Sequence, residues 1–335
     1  MFKNFKKIFI FTALFALLLT VPAFSNSMNA EADGVAEIAM ELEGGQVFHS
    51  KNADKRLPMA STTKIMTALI VAEECDLGEV ITVPDQAVGV EGSSIYLKKG
   101  EEISIKDLLY GLMLRSGNDA ACALAIHHSG TVEKFVERMN ERAREAGAED
   151  TNFKNPSGLP DNEHYTTAKD LCNIARCAMK NPVFSEVVST KNYTGDFRLF
   201  TNKNKLLSSF EGANGVKTGY TEKAGRCLVS SAKRGNMDVV CVVLNCYDMF
   251  ERSKAILDGC FEKFDVEIIS KDKIFNYNGT PCRIDADCPV VVERGCELEY
   301  RLVPARRGSD KNVLAELEIY RANNLIFSRN LYTIN

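Results

Sequence analysis

The sequence predicts an α+β protein. An antiparallel sheet assembled from both ends of a first domain encloses a mostly helical middle, and a small β-rich module follows. Three observations carry this. Strand-like pieces around a Gly44-Gly45 turn fill residues 34–49, and a continuously apolar hairpin fills residues 226–245, as a central sheet requires. Helical patterns dominate the stretch between them. Beyond residue 267 short alternating segments with Gly and Pro turns read as a β-sandwich. A length of 335 residues suits one large domain and a smaller one.

In chain order, Lys3, Lys6 and Lys7 precede the apolar run 8–20, and Ala23-Phe24-Ser25 supplies small residues. That is the pattern of a secretory signal peptide over residues 1–25, too short and too broken by Pro22 for a membrane span. The first domain then covers 26–264 and the β-rich module 265–335. A polar stretch leads to Pro58, and a helix starting at Ser61 is almost wholly apolar from Ile65 to Ala72, hence buried. Residues 79–105 hold short strand-like pieces with glycines between them. Residues 106–114 form a helix with Leu108, Leu109, Leu112 and Met113 on its apolar side. The loop Arg115-Ser-Gly-Asn118 interrupts it, and Asp119 reads as N-cap of a helix over 120–128. Residues 131–146 are amphipathic through Val132, Phe135, Val136, Met139 and Ala143. Asn155-Pro-Ser-Gly-Leu159 is turn chemistry, and a helix follows over 168–179. A strand at 215–219 lies beside the hairpin, and a helix over 248–264 closes the domain.

Composition excludes several functions. The net charge of −4 and the absence of a long basic run argue against a nucleic-acid partner. His49, His127, His128 and His164 match no metal-ligand spacing, and no H-E-x-x-H occurs, so neither metal nor cofactor is expected. The eleven cysteines include no C-x-x-C pair, and several fall at apolar positions, as Cys122, Cys172, Cys241 and Cys260 do. Buried free thiols are the reading adopted. Disulfide pairing cannot be read from spacing, and the odd count leaves at least one thiol unpaired in a monomer.

The chemistry sits in Ser61-Thr62-Thr63-Lys64, Ser116-Gly117-Asn118 and Lys217-Thr218-Gly219. A serine and a lysine three apart at a helix start share one face. A serine hydroxyl becomes a useful nucleophile only when a neighbouring base takes its proton. Lys64 can do so if burial and a second cation, for which Lys217 is the candidate, push its pKa down. S-x-x-K recurs at Ser230/Lys233 and Ser270/Lys273, and S-x-N at Ser27/Asn29 and Ser328/Asn330. Taken singly, Ser116-Gly-Asn reads as an interhelical turn and Lys217-Thr-Gly as a sheet-edge lysine. The ordered trio, each in its expected context, is what carries the reading.

These three elements resemble those of the penicillin-binding and β-lactamase serine enzymes. More closely, Leu57-Pro-Met-Ala-Ser-Thr-Thr-Lys-Ile-Met-Thr67, the run Asp107 to Ala121, Asn155-Pro-Ser-Gly-Leu159, Thr201-Asn-Lys-Asn-Lys-Leu-Leu207 and Gly215-Val-Lys-Thr-Gly-Tyr-Thr221 resemble the low-molecular-mass D-alanyl-D-alanine carboxypeptidases, serine peptidase family S11. The resemblance implies a β-lactamase/transpeptidase-like first domain. It also implies a serine carboxypeptidase that trims the terminal D-Ala of peptidoglycan stem peptides through an acyl-enzyme on Ser61, with β-lactams as covalent inhibitors. By resemblance, Ser116 relays a proton to the leaving amine and Asn118 steadies Lys64 and the substrate backbone. Lys217, Thr218, Gly219 and Tyr220 bind the substrate, and the N–H groups of Ser61 and Tyr220 form the oxyanion hole. Arg252 is a further candidate for a carboxylate contact.

A class A-like β-lactamase would carry E-x-x-L-N between the second and third elements, and none occurs. A D,D-endopeptidase acting on cross-links would use the same residues. A non-catalytic wall-binding scaffold would be signalled by loss of the Ser, the Lys or the K-T-G, and all are present. The implied location is extracytoplasmic. Many members end in an amphipathic membrane helix, whereas residues 325–335 read as a last strand, which leaves membrane association open.

Overall fold

Strands from both ends of the first domain meet in one sheet, whose inner strands are buried on two faces. The computed structural model describes residues 35–196, 198–306, 312–321 and 323–334, and the expected signal segment 1–25 lies outside them. In chain order β1 (Ala36–Glu41) and β2 (Val47–Lys51) form a hairpin, and a 3₁₀ turn at Ala60–Thr63 runs into α1 (Lys64–Glu74). β3 (Val80–Thr82) pairs with β4 (Glu102–Ser104). α2 (Ile105–Tyr110) continues through a π-turn at Gly111–Arg115, and α3 (Asn118–Ser129), α4 (Val132–Glu145), α5 (Ala168–Lys180) and α6 (Pro182–Ser189) follow. The small hairpin β5 (Asn192–Thr194) and β6 (Leu199–Thr201) and the short α7 (Leu206–Ser209) lead to β7 (Ala213–Thr221), β8 (Gly225–Arg234) and β9 (Met237–Leu244). Then come α8 (Met249–Lys263), β10 (Phe264–Ile269), β11 (Phe275–Tyr277), β12 (Thr280–Arg283), β13 (Cys288–Glu293), β14 (Glu299–Pro304), β15 (Val313–Arg321) and β16 (Asn324–Thr333).

The main sheet has the order β2-β1-β9-β8-β7, antiparallel throughout. β9 shows why its sequence lacks alternation. Val240, Val242 and Leu244 pack into the core around α1 and α5, while Val239, Cys241 and Val243 pack against Ile256, Leu257 and Cys260 of α8. A strand covered on both faces has no polar side to show. α1 is likewise enclosed: Ile65, Met66, Ala68, Leu69, Ile70 and Val71 are all fully buried. β7, with the K-T-G, is left at the sheet edge.

Two local expectations change. Gly117, not Asp119, caps α3, which begins at Asn118. The Asp119 carboxylate is drawn away from capping because it accepts from the N–H groups of Ile95 and Leu97 and the hydroxyl of Ser94. Those bonds hold residues 94–97 in an arch where the sequence suggested a strand. α6, β5, β6 and α7 were not assigned from sequence; they are short, and their residues answer to neighbours more than to their own periodicity.

The second, sheet-rich domain pairs β10 with β13 and stacks that ribbon on the five-stranded sheet β11-β12-β16-β15-β14. Ile269, Cys288 and Val290 from one side and Cys282, Ala315, Leu317, Ile319 and Leu331 from the other fill its core. All eleven cysteines, from Cys75 to Cys296, are free thiols. Among the described residues no helix is long and apolar enough to cross a membrane.

Candidate active site

Ser61, the candidate nucleophile, sits in the 3₁₀ turn ahead of α1, with Lys64 as the first residue of the α-helix. Ala60, just before Ser61, holds a left-handed φ of 49°, a conformation that costs a Cβ-bearing residue about 1–2 kcal/mol. Its neighbours keep it there. The Thr62 hydroxyl donates to the Met59 carbonyl at 2.6 Å, and the Thr63 hydroxyl donates to the Ala60 carbonyl at 2.8 Å. Thr63 in turn meets His164 Nε2 at 2.7 Å, while the Lys154 N–H donates to His164 Nδ1 at 3.0 Å. A backbone donor at Nδ1 leaves the proton on Nε2, so His164 is the neutral Nε2–H tautomer donating to Thr63. Burial holds its pKa down at about 4, which agrees.

Lys64 has no exposed surface, and its Nζ meets three oxygens: Ser61 Oγ at 3.0 Å, Asn118 Oδ1 at 2.7 Å and the Ser157 carbonyl. The Asn118 amide is oriented because its Nδ2 donates to the Glu91 carbonyl, leaving Oδ1 to accept from Lys64. The Ser157 carbonyl can only accept. Three oxygens would satisfy an ammonium; a neutral amine, with two N–H bonds and one lone pair, fits the same setting by donating to these two fixed acceptors and taking the Ser61 Oγ–H on its lone pair. Electrostatics agrees: the Lys64 pKa lies well below the usual amine range, through burial first and then the charges of Lys217 and Lys203, against an opposing pull from Asp119.

The carbonyl of Ser157 is aimed by the turn 155–159. Asn155 Oδ1 accepts from the N–H groups of Ser157, Gly158 and Leu159 at 3.2, 2.7 and 3.1 Å, a side-chain-nucleated turn. The Thr67 hydroxyl fastens it to α1 through the Pro156 carbonyl at 2.7 Å. Gly158, at φ +86°, touches the nucleophile turn so closely that a Cβ there would lie 1.9 Å from the Ala60 oxygen.

The edge strand β7 forms the opposite wall. Gly219 lies against the nucleophile, where a Cβ would stand 3.0 Å from the Ser61 nitrogen and 3.1 Å from that of Thr62. Lys217 is buried, its Nζ donating to the Thr218 carbonyl at 2.8 Å, and burial followed by the Lys203 charge brings its pKa down to about 7. Burial disfavours the charge on both amines, and Lys64 carries the Lys217 charge against it in addition, so of the two Lys64 is the harder to protonate. β7 is set in place by Asn204, whose amide donates to the Gly215 carbonyl at 2.8 Å.

Ser116 is buried at the end of the π-turn with φ 67°, two residues before Asn118, so both project from one cap. Ser61, Asn118, Ser157 and Gly158 share an open cleft of about 540 Å³ with Glu91–Ser93 on one rim and Tyr220–Lys223 on the other. Lys64, Lys217 and Ser116 do not line it; the two lysines lie beneath the surface that does. Arg252 stays outside the site. Its guanidinium is held bidentate on Glu37, both bonds 2.7 Å, at the junction of β1 and α8.

Four contributors escaped sequence reasoning: the Ser157 carbonyl, Gly158, Lys203 and the His164–Thr63 pair. The first is a backbone atom, which no residue type encodes. Lys203 lies in a polar run, and its Nζ reaches Ser93 Oγ at 3.3 Å across 110 residues. The signal that was available was the turn composition of 155–159, which fits any tight turn. Among the described residues no cluster of three or more His, Cys, Asp or Glu side chains is arranged to hold a metal ion.

Comparison with known proteins agrees with this geometry. The family model for D-alanyl-D-alanine carboxypeptidase, peptidase S11, matches residues 23–248. The chain is 36% identical over 284 residues to the D-alanyl-D-alanine carboxypeptidase DacF of Bacillus subtilis, covering 78% of this chain and 72% of that protein. It is 34% identical over 281 residues to DacC of Escherichia coli, with coverages of 78% and 70%. Among solved structures, penicillin-binding protein 5 from Haemophilus influenzae is similar with a TM-score of 0.78 at 28% identity, over 90% of this chain and 96% of that one. A single-residue variant of the Streptomyces K15 DD-transpeptidase is similar with a TM-score of 0.65 at 35% identity, over 68% and 96%. A match that spans the nucleophile turn, the Ser116 cap and the K-T-G strand alike means that this chain belongs to the D-alanyl-D-alanine carboxypeptidase family of serine peptidases.

Proposed function

We propose that this protein is a serine D-Ala-D-Ala carboxypeptidase of peptidoglycan, and that Ser61, Lys64, Ser116, Asn118 and the strand 217–220 carry its chemistry. The observation that supports this best is the full burial of Lys64 beside Ser61 Oγ, at 3.0 Å, where desolvation and the Lys217 charge favour the neutral amine that a base must be. Ser61 Oγ attacks the carbonyl carbon of the penultimate D-Ala as its proton passes to Lys64. The oxyanion is received by the N–H groups of Ser61 and Tyr220, each donor of this kind being worth ~10²–10³ in rate. The proton moves through Ser116 to the departing D-Ala nitrogen, the C–N bond breaks, and an ester remains on Ser61. Water then attacks the ester carbon as its proton passes to the neutral Lys64, the acyl C–O bond breaks, and Lys64 returns that proton to Ser61 Oγ, restoring the serine and releasing the carboxylic acid.

The protonated Lys217 and Thr218 hold the terminal carboxylate. The incoming anion restores the charge that burial makes unfavourable on Lys217, so binding and protonation reinforce one another. β-Lactams, which present a strained amide and a carboxylate to the same groups, acylate Ser61. The work is extracytoplasmic, following export by the segment 1–25.

Labelled penicillin decides the reading. Intact protein becomes covalently labelled and releases D-Ala from an acyl-D-Ala-D-Ala peptide, and Ser61→Ala does neither. Undiminished labelling of Ser61→Ala would end the assignment.

A further inference from the structure

Three residues other than Gly and Asn adopt a left-handed backbone among those described: Ala60, Ser116 and Tyr96. Two of them bracket the reacting groups. Strain of this kind persists where surrounding structure over-determines it, and it gathers at functional sites. Tyr96 has φ 61° and is also the most exposed large hydrophobic side chain described, at 81%. An aromatic ring held out in water in a disfavoured conformation gains nothing for folding.

The clasp around it is thorough. The Asp119 carboxylate accepts from the N–H groups on either side, those of Ile95 and Leu97. The Tyr96 N–H donates to Ser94 Oγ at 2.8 Å. From the other side Arg198 donates to the Ile95 and Tyr96 carbonyls at 3.1 and 3.3 Å while pairing with Glu101. The same arch is continuous with the cleft. Glu91–Ser93 line it, the Ser93 carbonyl accepts from the Asn118 N–H at 2.7 Å, and three residues of chain reach at most about 10 Å from Ser93 to Tyr96.

Arg198, which holds the Tyr96 carbonyl, also lines a surface hollow of about 700 Å³ together with Thr82, Lys98, Gly100, Glu101 and Glu102; Tyr96 itself stands outside that lining. Leu199, next to Arg198, adds a second exposed apolar side chain at 68%. The lining balances two cations with two carboxylates; Arg198 and Glu101 pair with each other, and Lys98, Glu102 and the Thr82 hydroxyl supply further donors and acceptors. That suits a neutral ligand covered in hydroxyl and amide groups, whose apolar ring face can rest on an aromatic side chain.

We propose that Tyr96, with Leu199 and this hollow, is a subsite for the glycan of the wall polymer, binding N-acetylated amino-sugar rings while a stem peptide occupies the cleft. The proposal rests on the D-Ala-D-Ala carboxypeptidase reading for its substrate. It predicts that strain at position 96 is retained for binding, so the two properties separate on mutation.

The test uses the full chain carrying Ser61→Ala, titrated with peptide-free glycan strands and with chitohexaose. Binding is expected, unchanged in Tyr96→Phe and weaker by roughly 3- to 10-fold in Tyr96→Gly. Tyr96→Gly is also expected to melt no lower than its parent, because glycine accepts the left-handed φ without strain. Absence of glycan binding by the parent would overturn the proposal. So would a Tyr96→Gly variant that binds as well as the parent, or one that loses binding only by melting below it. Penicillin labelling of the Ser61 protein is scored separately. Its failure would strike the catalytic reading and leave the glycan titration standing on its own result.

Discussion

The proposed mechanism asks opposite states of two buried amines on facing walls of the site, Lys64 neutral and Lys217 charged. Burial pushes both toward neutrality, and what separates them is the additional effect of Lys217 on Lys64. Their titrations belong to the pair. In kcat/KM an acid limb should reflect protonation of Lys64, and a basic limb near pH 7 should reflect loss of the proton from Lys217 in the free enzyme. Lys203 supplies a direct test, because its charge disfavours protonation of both amines. Removing a positive neighbour makes each amine easier to protonate, so in Lys203→Ala both limbs should move to higher pH. A pH–rate profile of penicillin acylation and peptide hydrolysis checks this; unmoved limbs would remove Lys203 from the account.

At the scale of elements, the nucleophile turn is held between two glycine contacts, Gly158 from the turn 155–159 and Gly219 from the sheet edge. Gly158→Ala would place a methyl group inside the Ala60 carbonyl and impose a left-handed φ on alanine. The expected outcome is a loss of roughly 1–3 kcal/mol of stability. A displacement of about 1 Å in the turn can cost ~10²-fold in acylation. Chemical denaturation and stopped-flow acylation measure the two effects. Elsewhere, β1 is tied to α8 and β2 through buried Glu37, which accepts from Arg252 and contacts His49 at 2.9 Å. Burial alone would raise its pKa, but the hydrogen bonds from Arg252 and then His49 win and hold it at about 2. Glu37→Gln should cost about 2 kcal/mol, below the 3–5 kcal/mol of a fully buried pair because Arg252 is partly in solvent. Urea unfolding of the two proteins at neutral pH would reveal it.

For the whole molecule these groups set the response to acid. His164 is neutral in the fold, with a pKa depressed from 6.5 to about 4. The unfolded chain therefore takes up its proton first, and stability is lost as pH falls from about 6.5 to about 4, by roughly 3 kcal/mol. Glu37, depressed from 4.5 to about 2, adds a second loss over that lower window. Melting temperature against pH should fall through two overlapping steps, and His164→Gln should flatten the first while leaving the second. A single step insensitive to residue 164 would contradict the tautomer assigned from its hydrogen bonds.

Much of the first domain was legible in the chain. β9 and α1 announce themselves by apolar runs, because elements covered on every side carry no polar pattern to obscure. The ordered trio around Ser61, Ser116 and Lys217 singled out the candidate reactive side chains, since nucleophile, base and cation are residue types that sequence records. Arg252 shows the limit: a guanidinium suited to a carboxylate was visible, but the carboxylate it meets belongs to Glu37. Asp119 shows it too, a capping residue by composition that instead clasps the Tyr96 arch. What the sequence by itself determined is which family the chain resembles, which groups are the candidates for its chemistry and which segments are buried. The tertiary structure alone decided which of them meet, because the Ser157 carbonyl, the Asn118 amide and the charges of Lys217 and Lys203 reach Lys64 across 54 to more than 150 positions. Only their convergence away from water brings the pKa of Lys64 down far enough for the proposed role of base.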